Sequence, residues 1–159
     1  MKIVVIADTH SEKIPKPLIE AVKESDMVIH VGDFVDLEVL NMLKGLKDVH
    51  AVYGNMDGLE LRQVLPKREI FSCEGVKIGL FHGEGGPDGI VPRVRAQFED
   101  ERVQAIVFGH THEVMNEVVD GILFFNPGSP TDKIRAPFRS YGVLEVSGSE
   151  IKGKIVKLK

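Results

Sequence analysis

Three apolar runs in the first third of the chain each stop at a polar residue, and that leaves few folds open. Ile3-Val4-Val5-Ile6-Ala7 runs into Asp8-Thr9-His10-Ser11, Met27-Val28-Ile29-His30-Val31 into Gly32-Asp33, and Val49 to Tyr53 into Gly54-Asn55. Such short, continuous apolar runs read as strands buried on both faces. Between them, Pro17–Glu24 spaces Leu18, Ile19 and Val22 three to four apart behind a proline, which predicts a helix, and Leu37–Leu46 predicts a second. Alternating strands and helices imply parallel strands joined by right-handed crossovers. Asp8, Asp33 and Asn55 then share one carboxyl edge, where ligands gather in open α/β sheets.

The rest of the chain changes character. Glu69–Cys73, Val76–Phe81, Ala105–Phe108, Val114–Val119, Ile122–Phe125, Ser140–Val146 and Ile151–Leu158 all read as short strands. One helix interrupts them, Val91–Glu101, with Val94 and Phe98 on one face. Asp120-Gly121 between two strands predicts a two-residue hairpin, because both central positions of that turn take positive φ. Lysines at nearly every second position of the tail, from Lys152 to Lys159, suit an edge strand protected from pairing with another molecule. The expected fold is α/β: two packed mixed β-sheets flanked by helices, with a parallel-leaning first half and an antiparallel second half. At 17.6 kDa the 159 residues fit a single domain, 1–159.

Composition removes several classes of function. No uncharged apolar run approaches the roughly 20 residues of a membrane helix, and the Met1–Ala7 run stops at Asp8, too early for a secretion signal. Cys73 stands alone, so neither an internal disulfide nor a thiolate metal site forms, and a reduced, cytoplasmic setting is expected. A net charge of −4 offers no broad basic face for nucleic acid.

The chemistry lies in the histidines and their neighbours. His30 and His50 sit inside apolar strands and read as packed, hydrogen-bonded side chains. The other four follow strand ends beside glycine or aspartate: Asp8-Thr9-His10, His82-Gly83, and Gly109-His110-Thr111-His112. With Asp33 and Asn55 they make seven ligand-type groups from five segments: Asp8, His10, Asp33, Asn55, His82, His110 and His112. One transition ion takes about four to six donors, so seven with room for water suit two ions sharing a carboxylate. Imidazole, carboxylate and amide without thiolate suit manganese foremost, with nickel, iron, cobalt or zinc as alternatives, rather than calcium.

These residues resemble the calcineurin-like metallophosphoesterases, whose signature stands here in order as Asp8-Thr9-His10, Gly32-Asp33, Gly54-Asn55, His82-Gly83 and Gly109-His110-Thr111-His112. Asn126-Pro127-Gly128-Ser129 and Arg139–Glu145 are similar to the small prokaryotic phosphodiesterase branch. The resemblance implies an α/β/β/α sandwich. It implies one divalent ion on Asp8, His10, Asp33 and His112, and a second on Asp33, Asn55, His82 and His110. Asp33 would bridge them, because two cations about 3.5–4 Å apart need a shared anion. Asp33, Asn55 and His110 are the residues it implicates in catalysis, in which a hydroxide shared by the ions attacks a phosphodiester.

The chain departs from the family at Met56, where many members carry a histidine thought to protonate the leaving oxygen. Without that acid, worth roughly a hundred-fold or more, diesters with good leaving groups are the expected substrates. Asp57 matches the family's acidic position but also reads as a turn or cap residue. His82–Pro87, glycine-rich without a Lys-Ser/Thr ending, reads as a flexible rim. Lys133, Arg135 and Arg139 lie in a loop that could reach a substrate phosphate. Two alternatives stand beside a small-molecule diesterase: a non-catalytic scaffold with a retained metal site, like the phosphoesterase-like subunit of the retromer coat, and a nuclease, disfavoured by the acidic balance; the exposed edge allows a homodimer or higher homo-oligomer in any of these cases.

Overall fold

The computed structural model describes residues 1–159. Its elements in chain order are β1 (Lys2–Ile6), α1 (Lys16–Lys23), β2 (Met27–His30), α2 (Leu37–Leu46), β3 (Val49–Ala51), α3 (Leu59–Val64), β4 (Arg68–Cys73), β5 (Val76–Phe81), α4 (Ile90–Ala96), β6 (Ala105–Val107), β7 (Met115–Val119), β8 (Ile122–Asn126), β9 (Ser140–Ser147) and β10 (Glu150–Lys157). They form two five-stranded sheets, ordered β10-β9-β1-β2-β3 and β4-β5-β6-β8-β7.

Strand alternation builds the layers. In β1 and the residue after it, Ile3, Val5 and Ala7 join Ile78, Leu80, Val107 and Phe125 in a cluster between the sheets. Val4 and Ile6 turn the other way, onto Leu18 and Val22 of α1 and Leu40 and Leu43 of α2. On the far side, Ile106 of β6 and Phe124 of β8 pack against Val94 of α4 and against Phe98. The result is helix, sheet, sheet, helix, with β1 covered on both faces as its apolar run predicts. Each fully buried Leu, Ile or Phe in these clusters contributes about 1.5–3 kcal/mol. The Asp36 side chain caps α2 by accepting the Glu38 N–H at 3.0 Å. Asp120 and Gly121 take φ of 50° and 79° in the β7–β8 turn, as their dipeptide predicts. β10 is an edge strand, and Lys152, Lys154 and Lys157 are exposed along it. No helix is long and apolar enough to cross a membrane.

Three expectations are corrected. The second sheet is not antiparallel at its centre: β5, β6 and β8 run parallel, and only the outer pairs β4/β5 and β7/β8 are antiparallel hairpins. α4 supplies the crossover from β5 to β6, and the β7 hairpin lies at the edge. The helix expected over Val91–Glu101 ends at Ala96, and Phe98 packs from the turn that follows. α3 is additional; it starts at Gly58 without a side-chain cap and is six residues long, too short to show a period.

Candidate metal centre

The parallel strands of both sheets end on one side, and the seven candidate ligands meet there. β1 delivers Asp8 and His10, β2 Asp33, β3 Asn55, β5 His82, and β6 His110 and His112. Asp33 Oδ2 lies 3.3 Å from His82 Nε2 and 3.6 Å from His10 Nε2. Asp8 Oδ1 is 3.5 Å from His112 Nε2, 3.8 Å from His82 Nε2 and 3.9 Å from His10 Nε2. Asn55 Oδ1 stands 3.0 Å from His82 Nε2 and 3.1 Å from His110 Nδ1. Asp8, His10 and His112 form one group with metal-ligating spacing, and Asp8, Asp33 and His82 a second. Asp8 is therefore as central as Asp33.

The backbone is bent to bring these atoms together. Asp8, His10, Asp33, His110 and His112 all have positive φ, between 48° and 72°. A non-glycine residue there costs about 1 kcal/mol or more, so strain is concentrated on the candidate ligands. Two glycines give them room. A Cβ on Gly54 would lie 2.2 Å from Asp33 Oδ1, and one on Gly109 would lie 2.9 Å from Asp8 Oδ2.

The outward hydrogen bonds fix what each imidazole presents inward. His82 Nδ1 donates to the Val31 carbonyl at 2.7 Å, and His110 Nε2 to the Gly85 carbonyl at 2.8 Å. His112 Nδ1 donates to Asp132 Oδ2 at 2.5 Å. A neutral imidazole that donates from one nitrogen presents a lone pair on the other. When the rings are neutral, as metal binding requires, His82 Nε2, His110 Nδ1 and His112 Nε2 face the carboxylates and the Asn55 oxygen as acceptors facing acceptors. Asp8 Oδ1 and His10 Nε2 are buried without any hydrogen-bond partner. A cavity lined with lone pairs calls for cations, and this nitrogen and oxygen set fits divalent transition ions.

The charges agree. Burial alone would raise the Asp8 carboxyl, but His10, His112 and His82 hold it far below the ordinary carboxylate range. Burial opposes the proton on His82, yet Asp33 and Asp8 raise its pKa. The Asp8 carboxylate, helped by Asp132 and opposed by burial, pushes His112 up to about 9. Without metal, a proton on His112 takes a position that a cation would fill.

Two carboxylates around the site do structural work. Asp57, read as a family acid or a cap, is buried, and it accepts the backbone N–H groups of Asp33, Val35 and Gly54. Asp132 was not singled out by sequence; no local pattern connects it to His112 across twenty residues. His30 and His50 stay out of the ligand cluster, as expected. His30 is fully buried, stacked on Phe34 and bonded to Thr9 and Gly32, whereas His50 is only half-buried and pairs with Glu69. The glycine-rich rim is fastened, because the Arg93 guanidinium donates to the carbonyls of Glu84, Gly86 and Asp88. The ligands open into a cleft of about 650 Å³ whose wall includes Met56, Lys133, Ile134 and Arg135. Arg139 lies away from it, donating to the carbonyl of Lys159.

Residues 1–149 match the calcineurin-like phosphoesterase superfamily domain. A probable metallophosphoesterase of Methanocaldococcus jannaschii is 36% identical over 99% of this chain and 82% of its own length. A phosphodiesterase of the same organism is 30% identical over 80% of this chain and 83% of its own. Vacuolar protein sorting 29 of Cryptosporidium parvum shares the fold with a TM-score of 0.84 at 22% identity, covering 99% of this chain and 91% of that one. With the sandwich, the ordered motifs and the lone-pair cavity in place, this chain belongs to the calcineurin-like phosphoesterase superfamily.

Proposed function

We propose that the protein is a metal-dependent phosphodiesterase acting on small-molecule diesters. The observation that carries this reading is the convergence of His82 Nε2, His110 Nδ1 and His112 Nε2, each on a ring whose other nitrogen donates outward, upon Asp8, Asp33 and Asn55, with Asp8 Oδ1 and His10 Nε2 left without partners. Asp8, His10, Asp33 and His112 would hold one divalent ion, and Asp33, Asn55, His82 and His110 a second, with manganese the leading candidate. When bound, such ions supply Lewis acidity, lowering the pKa of a water and neutralising phosphoryl charge. Asp33 sets the spacing by facing both His10 and His82. Asn55 and His110 present the second site to the cleft, and Lys133 and Arg135 add positive charge at its mouth. Met56 offers no proton to a leaving group, so the chemistry favours substrates whose leaving oxygen needs none. The phosphodiesterase relative from M. jannaschii supports the diester assignment.

The test is metal content followed by turnover. Manganese-loaded protein is expected to cleave bis(p-nitrophenyl) phosphate faster than p-nitrophenyl phosphate or an alkyl diester, and to lose the activity on chelation. The sorting-protein fold neighbour favours a second reading, a metal-retaining scaffold. Two bound ions with no turnover of any phosphoester would select it.

A further inference from the structure

We infer that Asp132 is a positioning residue of the metal centre, one carboxylate that selects the ligating tautomer of His112 and also holds the loop forming the wall of the cleft. The inference rests on the metal-centre reading. Oδ2 of Asp132 accepts from His112 Nδ1 at 2.5 Å and from the Ala136 N–H at 3.2 Å. Oδ1 accepts from the N–H groups of Ile134 and Arg135 at 2.8 and 2.9 Å. The carboxylate is held from behind: the Asp132 N–H donates to Ser129 Oγ at 3.0 Å, and that hydroxyl donates to the Asp8 carbonyl at 2.8 Å. One anion thus spans a candidate metal ligand and the backbone of the loop that carries Lys133 and Arg135, while the N–H of the same residue ties it through Ser129 to the strand end that carries Asp8.

The consequence is chemical. With Asp132 accepting, the proton sits on Nδ1 and the Nε2 lone pair faces Asp8 Oδ1, where an ion shared with His10 would lie. His112 and Asp132 also reinforce each other's charge. Burial would raise the Asp132 carboxyl, but His112 and the loop N–H groups push it down to about 2. An oriented imidazole loses little freedom on binding metal, and partners of this kind are worth roughly 10- to 100-fold in metal affinity.

Asp132→Asn separates this role from a purely structural one. Asparagine has one acceptor oxygen. If the oxygen keeps the Ile134 and Arg135 N–H groups, the amide nitrogen donates to His112 Nδ1 and drives the proton to Nε2, so the ligand is lost. If it flips to serve His112, donors face donors in the loop.

Calorimetric titration of metal-free wild type and the Asp132→Asn variant with Mn²⁺ tests it. The expected result is two sites in wild type, with one of them weakened roughly 10- to 100-fold in the variant. The manganese concentration for half-activation should rise equally, and Asp132→Glu, which keeps both acceptor oxygens, should restore part of the affinity. Nitrogen-15 spectra of zinc-loaded wild type should show His112 protonated on Nδ1, a readout that survives even if the asparagine variant misfolds. Equal affinities in wild type and variant overturn the inference and leave the metal centre intact, whereas a proton on His112 Nε2 overturns it and removes His112 from the ligand set. A wild type that takes up no Mn²⁺ or Zn²⁺ defeats the metal-centre reading itself.

Discussion

Asp57 Oδ2 accepts the backbone N–H of Asp33 at 2.9 Å, and the same oxygen accepts that of Gly54 at 2.8 Å. Oδ1 takes the Val35 N–H at 2.7 Å, so the carboxylate sutures the loops after β2 and β3 under the metal centre. Asp57→Ala would strand three N–H groups, each costing about 1–3 kcal/mol when left unpaired and buried. We expect a loss of about 3 kcal/mol or more, roughly 6–12 °C in Tm for a domain of this size, together with weaker metal binding through displaced Asp33. Thermal unfolding of the metal-free variant measures the first effect. A Tm within 2 °C of wild type would show that Asp57 is not structural and return it to the pool of candidate acids.

Met56 is 55% exposed on the cleft wall, while its N–H donates to Asp33 Oδ1 at 2.8 Å. The backbone is committed to the site and the side chain is not. Met56→His should therefore fold with unchanged stability and present an imidazole to the leaving oxygen. The ratio of alkyl-diester to nitrophenyl-diester turnover is expected to rise at least tenfold, towards the hundred-fold that a general acid supplies. An unchanged ratio would mean that departure of the leaving group does not limit the rate, or that position 56 does not face it.

The parts of this molecule that declare themselves in sequence are those governed by local pattern. β1 reads correctly because an unbroken apolar run belongs in the middle of a sandwich, and the candidate ligands stand out in the sequence because each closes such a run. The direction of β6 and β8 is a different matter: a hairpin signal at Asp120-Gly121 implies antiparallel neighbours, but β8 pairs with β7 on one side and, parallel, with β6 on the other. The parallel pairing of β5 with β6 brings His82 and His110 to the same end of the sheet, a long-range relation that no local pattern carries. Asp132 and Asp57 bond to partners about twenty residues away, and nothing in a turn-rich segment marks which aspartate does so.

His30 makes a pH prediction of definite sign. The Gly32 N–H donates to its Nδ1 at 3.1 Å, so Nε2 carries the proton and bonds Thr9 Oγ1 at 3.2 Å. Burial, only partly offset by Asp8 and Asp33, pushes its pKa down to about 3. Between that value and the ordinary value near 6.5, the unfolded chain binds a proton that the native protein refuses. Stability from this group is therefore complete above about pH 6.5 and is lost as pH falls toward about 3, on the order of 5 kcal/mol at the limit. Imidazole NMR should show His30 not titrating from pH 8 down to pH 5, with Nε2 protonated throughout. A His30 midpoint near 6.5 would contradict both the tautomer and the burial.

His112 carries the opposite sign in the metal-free protein, and this distinguishes protons from cations in the same cavity. Its pKa is raised to about 9, because Asp8 and Asp132 flank it. From about pH 6.5 to about 9 the native metal-free protein holds a proton that the unfolded chain has released. The stability this adds is fully present below about pH 6.5 and disappears as pH rises through about 9. An ion at Nε2 takes that proton's place, so metal binding releases it and tightens with pH over the same range. Chelated protein should lose Tm between pH 6.5 and 8.5 while manganese-loaded protein does not, and the gap between them should widen steadily. Differential scanning calorimetry in both states at several pH values measures that gap. A gap independent of pH would mean that no proton is displaced, and the cations would then have to lie somewhere other than among these histidines.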